Sequence, residues 1–347
     1  MKDNVSVLVT GSGAGVGQGV LRSLRMMSNC PRIITSDTDY RAAGHWLGDK
    51  AYLVPFANDP NYGNMIESLI KKENIDVVFV GTDVELSYFA KNKSHLESLN
   101  VKIVVCSPET VAIADDKWLT AQFLKNNGFP YPRSALVTDL DGCNKLLEEC
   151  GLPLFGKPRC GARSVGARII KTVKAYNEVL LTEPDLILQE LLPDTEGEFT
   201  AGCIGTNGEV GGVVVLRRDL RDGNTYRAYY DGINRFEKEI IEVATKLGIE
   251  GSCNFQFRVK DDKPVIFEIN ARFSGTTPLR AIFGFNEVEA ILNNIINGTP
   301  IKQPTLRSGA VFRAWSDVFV SSEQLSEFKS NLELNNPDAQ SVPFIIK

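Results

Sequence analysis

The sequence predicts a mixed α/β chain that opens with a parallel, doubly wound sheet over about residues 1–115 and then changes texture. Three observations predict it. Short β-branched apolar runs recur at residues 5–10, 32–37, 76–80 and 102–106, the pattern of strands buried on both faces. Helix-compatible stretches such as 65–72 and 85–99 separate them, and this alternation is the mark of a parallel sheet flanked by helices. At Asp116, Lys117 and Trp118 the alternation stops, and a domain boundary is expected there.

The chain has 347 residues, enough for two or three domains of about 150 residues or less. Its 43% hydrophobic and 23% charged residues describe an ordinary globular protein. The 38 basic residues against 43 acidic ones leave a net charge of −5, which offers no electrostatic footprint for nucleic acid or an anionic membrane. Cys30, Cys106, Cys143, Cys150, Cys160, Cys203 and Cys253 are scattered with no C-x-x-C pair, so neither a disulfide framework nor a thiolate zinc site is expected. A cytoplasmic location is expected, since no apolar run reaches the length of a membrane span and the first residues lead into a run too short for a signal peptide. The two histidines, His45 and His95, are isolated from any partner pattern. Chemistry therefore falls to carboxylates, Lys, Arg or a bound cofactor.

The first run is followed by a glycine turn at 11–17 and by Val16, Val20, Leu21, Leu24 and Met27 at helical spacing, which reads as strand, turn and helix. The turn departs by one residue from the dinucleotide fingerprint G-x-G-x-x-G, although Asp37 ends the second strand where a ribose-binding acid would sit. An NAD site, a plain closing turn and a turn receiving another small ligand remain open. Asp83 and Glu85 follow the strand at 76–80; they stand at the carboxyl edge where ligands of open sheets bind, or simply begin a solvated helix.

Beyond the boundary, an amphipathic helix at 118–124 stops at Asn127 and Gly128, ahead of Pro130 and Pro132. Residues 152–158 read as a strand carrying Lys157, and 167–172 as a second strand. The glycine-punctuated loop between them, 159–166, suits a polyphosphate or a plain hairpin, and no Walker motif is present. The apolar strand at 186–192 emerges at Gln189 and Glu190 and leads to Glu198, so its end can meet an adenine edge and an acid can meet ribose hydroxyls; a solvated turn is the alternative. Residues 213–216 read as a strand, and Arg217, Arg218 and Arg227 flank a polar loop at 219–226, expected either to anchor an anionic substrate or to form a solvated hairpin turn. Finally, 253–259 and 265–272 read as a hairpin. Period-two geometry puts Glu268, Asn270 and Arg272 on one face, with Phe267 counted among the packing residues. Glu268 and Asn270, with Gln256 on the neighbouring strand, make a site for a hard cation shared with phosphates, and Arg272 can hold a phosphoryl oxygen; the alternative is a strand with a polar outer face.

Together these residues resemble the ATP-grasp superfamily, most closely single-copy relatives of the synthetase domains of carbamoyl-phosphate synthase. The motifs that carry the resemblance are Asp116 with Lys117, Phe155 to Pro158 with the 161–166 loop, Gln189 and Glu190 through Glu198, Asn254 to Gln256, and Phe267 to Gly275. The resemblance implies a Rossmann-like preceding domain (1–115), a two-subdomain ATP-grasp core (116–190 and 191–305) and a C-terminal strand and extension (306–347). It implies ATP held by Lys117, Lys157, Ser164, Gln189, Glu190, Leu191 and Glu198, with Glu190 and Leu191 as the adenine hinge and Glu198 on the ribose. Gln256, Glu268 and Asn270 would hold Mg²⁺, or Mn²⁺ in its place, and Arg272 would be catalytic. Glu85, Arg217, Arg218, Arg227, Ser274 and Gly275 are the expected substrate contacts. Arg163 stands where the family's phosphate loop has glycine, which bears on that loop's mobility. The chemistry implied is ligation of a small carboxylate to an amine or ammonia through an acyl phosphate, without nucleic acid or membrane partners; a homodimer is compatible with it. The competing functions are an NAD-dependent oxidoreductase and a non-catalytic nucleotide-binding sensor.

Overall fold

The structure is a computed structural model that describes residues 5–161, 165–206, 208–314 and 317–342. The expected parallel sheet is present as Ser6–Val9, Arg32–Asp37, Lys50–Leu53, Val77–Phe79 and Lys102–Val104. Ser6–Val9 lies at its centre, with Val7 opposite both Ile33 and Val77. Val7, Leu8 and Val9 are wholly buried because helices cover both faces, which is why their run is apolar throughout rather than alternating. Lys50–Leu53 went unread in the sequence: it is four residues long, half of it polar or aromatic, and it forms a strand by pairing with Arg32–Asp37.

Two larger antiparallel sheets follow, besides a two-stranded one of Asp317–Phe319 and Gln340–Val342. Ser134–Leu136, Leu186–Glu190, Leu154–Pro158 and Arg168–Ile170 form a four-stranded sheet covered by the helices Leu140–Cys150 and Val173–Thr182. The larger sheet runs, edge to edge, Lys263–Asn270, Gly251–Lys260, Glu198–Thr206, Glu209–Arg221, Asn224–Tyr230 and Gly309–Phe312. One face packs on the helix Glu237–Leu247 through Phe199, Phe255 and Phe257. The other face meets Glu287–Asn297 through Val214 and Leu216. Both of these cores also take in residues of the N-terminal sheet and its helices, so the sheets are packed against one another.

The polar loop expected at 219–226 is a correction. Those residues largely continue two strands, joined at Asp222 and Gly223 with φ of 51° and 71°. Asp-Gly with both φ positive is the signal of a tight hairpin turn, the alternative expected for this segment.

The C-terminal segment returns to the start of the chain. Glu333–Asn335 adds an antiparallel edge strand beside Lys50–Leu53, and the helix Ser322–Asn331 buries Phe328 completely against His45, ring centres 4.9 Å apart and edge to face. Burial pushes the His45 imidazole down to about 4, so the ring is neutral at pH 7. Removing an aromatic plug of this kind costs on the order of 3 kcal/mol or more, a loss confined to this small cluster with Ala51 and Leu334. Phe328→Ala is therefore expected to undock the segment and leave the three-sheet body intact. Limited proteolysis should show faster cleavage within 320–335 and an otherwise resistant product; uniform digestion of the whole chain would contradict it.

Candidate active site

The sheets converge on one open cleft, walled by the glycine turn and Asp83 of the N-terminal sheet, by Lys117, Phe155, Lys157 and Gly161, and by Glu198, Arg218, Gln256, Glu268 and Arg272 of the large sheet. Asp116 builds its entrance. Its carboxylate caps the helix Lys117–Asn126 by accepting from the Trp118 and Leu119 amides at 2.9 and 3.2 Å, and also accepts from Arg159 Nε at 2.7 Å. This fixes Lys117 at the first helical position, from which its ammonium donates to the Gly161 carbonyl at 2.8 Å. Ser164, together with residues 162 and 163 of the loop, lies outside the described residues.

Lys157 comes from the opposite direction, out of the four-stranded sheet. It is 5% exposed, donates to the Phe267 carbonyl at 3.0 Å and lies 5.5 Å from the centre of the Phe267 ring. Burial lowers its pKa to about 8, against the opposing attraction of Glu268 and with further lowering from Lys117. Phe267 itself is a correction. The register shifts so that Gln256 faces Glu268 while Phe257 faces Ile266; this bulge leaves Phe267 unpaired and turns it into the cleft wall, where strict alternation had placed it among packing residues.

From Glu198 to Asp83 the polar groups form one chain. Glu198 Oε1 accepts from Arg218 Nη2 at 2.6 Å; the same Nη2 donates to Gln256 Oε1 at 2.6 Å; Gln256 Nε2 donates to Glu268 Oε1 at 3.1 Å. Asn270 Nδ2 reaches the same Glu268 oxygen at 3.0 Å, and Asn270 Oδ1 accepts from Arg272 Nη2 at 2.8 Å. Arg272 then grips Asp83 with two prongs, at 2.5 and 3.0 Å. Glu268, Asn270 and Arg272 thus share a face as expected. The two amides turn their nitrogens toward Glu268 and their oxygens toward arginines, so of the three side chains expected to hold a cation only Glu268 has no oxygen bonded to an arginine. Among the described residues no group of three or more His, Cys, Asp or Glu gathers as a metal site. One carboxylate flanked by amides fits Mg²⁺ that takes its remaining ligands from phosphates and water rather than a resident ion.

Several expected contacts lie elsewhere. Arg217 and Arg218 are consecutive in a strand, so they point to opposite faces: Arg218 lines the cleft, whereas Arg217 stacks on Tyr229 at 4.1 Å on the far side. Arg227 pairs with Asp219 at 3.8 Å and also lies outside the cleft. Glu85 is buried within the N-terminal unit, accepting from Tyr62 Oη at 2.6 Å, and burial raises its carboxyl to about 7; it does not reach the cleft wall. Gln189 is buried and donates to Ser134 Oγ at 2.7 Å, while the Glu190 carboxylate pairs with Lys260 at 2.5 Å. Glu190 and Leu191 stand where the four-stranded sheet passes over to the large one. Ser274 and Gly275 line the cleft, as do Asn254, Thr225 and Arg313, which sequence reasoning assigned no role.

The first glycine turn is closed on itself. The Gly13 amide donates to Asp37 Oδ2 at 2.7 Å and the Gly17 amide to the Gly81 carbonyl at 2.9 Å. Asp37 is therefore committed to the turn, although Ala14, Gly15 and Val16 still face the common cleft.

Comparison with known proteins agrees with this architecture. Residues 182–318 match the family model described as ATP-grasp in the biosynthetic pathway with Ter operon, and residues 7–104 match the PylC-like N-terminal domain. The carbamoyl phosphate synthase large chain of Methanothrix thermoacetophila is 23% identical over 282 residues, covering 73% of this chain and 24% of that protein. That of Vibrio cholerae is 24% identical over 312 residues, 80% of this chain and 27% of the other. The chain thus spans about a quarter of the length of these curated relatives. Among solved structures, N5-carboxyaminoimidazole synthetase from Staphylococcus aureus complexed with ADP superposes with a TM-score of 0.72 at 13% identity, over 95% of this chain and 86% of that one. The biotin carboxylase domain of Hydrogenobacter thermophilus 2-oxoglutarate carboxylase, in complex with MgADP and bicarbonate, gives 0.67 at 15% identity, over 88% and 73%. No helix among the described residues is long and apolar enough to cross a membrane.

Proposed function

We propose that this chain, which carries the ATP-grasp fold and resembles the synthetase units of carbamoyl-phosphate synthase, is an ATP- and Mg²⁺-dependent ligase joining a small carboxylate to an amine or ammonia through an acyl phosphate. The observation that carries the reading is the convergence, on one cleft, of two lysines, the Glu198–Arg218 pair and the braced Glu268 beside Arg272. Lys117 and Lys157 would receive the phosphates, and Glu198, held by Arg218, would accept from ribose hydroxyls. Glu268 would hold Mg²⁺, which supplies neutralisation of phosphate charge when bound. A carboxylate oxygen attacks the γ-phosphorus and ADP leaves; the amine then attacks the acyl carbon, phosphate leaves and the amine gives up a proton. Arg272 would stabilise charge on the transferred phosphoryl group, a contact that counts most in the transition state.

The oxidoreductase reading loses its support with Asp37 spent on the Gly13 amide. Calorimetric titration should show binding of Mg·ATP and none of NAD, and ADP release should rise with one member of a panel of carboxylates and amines that includes bicarbonate, with the product identified by mass. NAD binding without ATP binding would refute the assignment, and nucleotide binding without ADP release under any pairing would favour a sensor.

A further inference from the structure

Behind the cleft wall lies an ion pair that the ligation chemistry does not use. Arg280 and Glu287 are both 0% exposed and meet at 2.6 Å. Replacing a buried pair of this kind by apolar residues is commonly neutral or stabilising, because desolvating two charges offsets their attraction. This pair is also incompletely satisfied: Arg280 Nε and Glu287 Oε2 have no partner among the described residues. Such a pair contributes little to holding the fold together, so its other contacts decide what it does.

Those contacts converge on the turn at 274–277. Arg280 Nη1 donates to Thr276 Oγ1 at 2.6 Å and to Asn254 Oδ1 at 3.4 Å; Nη2 donates to Ser274 Oγ and Thr277 Oγ1, each at 3.2 Å. Thr277 in turn donates to Glu287. The turn's own bonds use the same hydroxyls: the Ser274 amide donates to Thr277 Oγ1 at 3.1 Å and the Thr276 amide to Ser274 Oγ at 3.2 Å. All three hydroxyls are thereby drawn back onto one guanidinium, and the opposite side of Ser274, Gly275 and Thr276 is left to face the cleft. The large sheet makes room for this arrangement. At Gly202, where the guanidinium lies against the strand, an added Cβ would come within 2.2 Å of Arg280 Nε.

We infer that Arg280 and Glu287 are a positioning pair whose work is to hold the 274–277 turn and Asn254 in their cleft-facing shape for the bound nucleotide and acceptor. The inference rests on the ligase reading for what the cleft binds, but the hydrogen-exchange arm of its test does not. In the double variant Arg280→Met with Glu287→Leu no charge is left unpaired, so the thermal midpoint should stay within about 5 °C of wild type. Hydrogen exchange at the Ser274 and Thr276 amides should nonetheless quicken at least tenfold while the amides of Glu198–Thr206 keep their rates, and the dissociation constant for Mg·ADP should rise at least tenfold. Arg280→Lys, which keeps the charge but lacks the planar fork that spans five acceptors, should show the same local loosening. A midpoint lowered by more than about 15 °C in the double variant, with exchange accelerated across the sheet, would make the pair a core stabiliser and overturn the inference; so would wild-type exchange or wild-type affinity in a folded double variant. Failure of the wild-type chain to bind Mg·ADP would remove the nucleotide reading, leaving the exchange rates to decide the positioning role.

Discussion

Lys157→Met is expected to weaken Mg·ATP binding at least a hundredfold, about 2.7 kcal/mol, without loss of stability at pH 7. The lysine is 5% exposed, and the pKa lowered from 10.5 to about 8 records the cost of keeping an ammonium out of water. The folded value lies below the unfolded one, so the penalty is fully present below pH 8 and is relieved as pH rises from about 8 to 10.5; its scale is on the order of 3 kcal/mol. Methionine removes that penalty while filling similar volume. It leaves the Phe267 carbonyl without its donor, which costs about 1 kcal/mol and offsets part of the gain. The wild-type protein should show a matching signature in binding. Triphosphate favours the ammonium form, so above pH 8 the protein must take up a proton to bind, and affinity should fall up to tenfold per pH unit. Calorimetry between pH 6.5 and 9.5, with thermal midpoints for both proteins, checks this. A flat pH profile together with near-wild-type affinity in Lys157→Met would take the lysine out of the phosphate site.

Glu268→Gln and Arg272→Lys should fail in different ways although Arg272 stands only two residues beyond the strand that carries Glu268. Gln keeps the size and one amide-compatible oxygen but loses the charge that draws Mg²⁺; the metal concentration for half-maximal nucleotide binding or turnover should rise at least tenfold, with partial rescue by excess metal. Lysine at 272 keeps the charge and loses the fork. It should lower kcat on the order of a hundredfold with little change in metal demand. The structure adds a consequence for stability. Arg272 is clamped two-pronged to Asp83 across the cleft, and losing such charge-assisted bonds costs about 1–3 kcal/mol, so Arg272→Lys should melt several degrees lower while Glu268→Gln should not. Indistinguishable metal dependence with wild-type turnover in both would reduce this face to a solvated surface.

How much of the molecule could be read beforehand follows from the range of the forces involved. The strands at the start of the parallel sheet, the break at Asp116, the Lys157 strand and the hairpin bearing Glu268 and Arg272 all announce themselves within a dozen residues, through apolar period, glycine punctuation and turn chemistry. Residue types in that local frame marked Lys157, Glu198, Glu268 and Arg272, and the family resemblance added Lys117, Ser274 and Gly275; all of them line one cleft. Other features needed the folded chain. A one-residue bulge turned Phe267 inward, and the strand that continues to Arg221 put Arg217 and Arg218 on opposite faces, with Arg227 outside the cleft as well. Asp83 meets Arg272, and Glu333–Asn335 closes the first sheet, across sequence separations that no local pattern encodes. The sequence by itself determined the strands with a strong apolar period and the kinds of charged residue available near the site, because those depend on neighbours along the chain. Tertiary structure alone decided which charges neutralise one another, because a carboxylate or guanidinium takes whatever partner the packing brings within about 3 Å, and that partner is set by all the burial elsewhere.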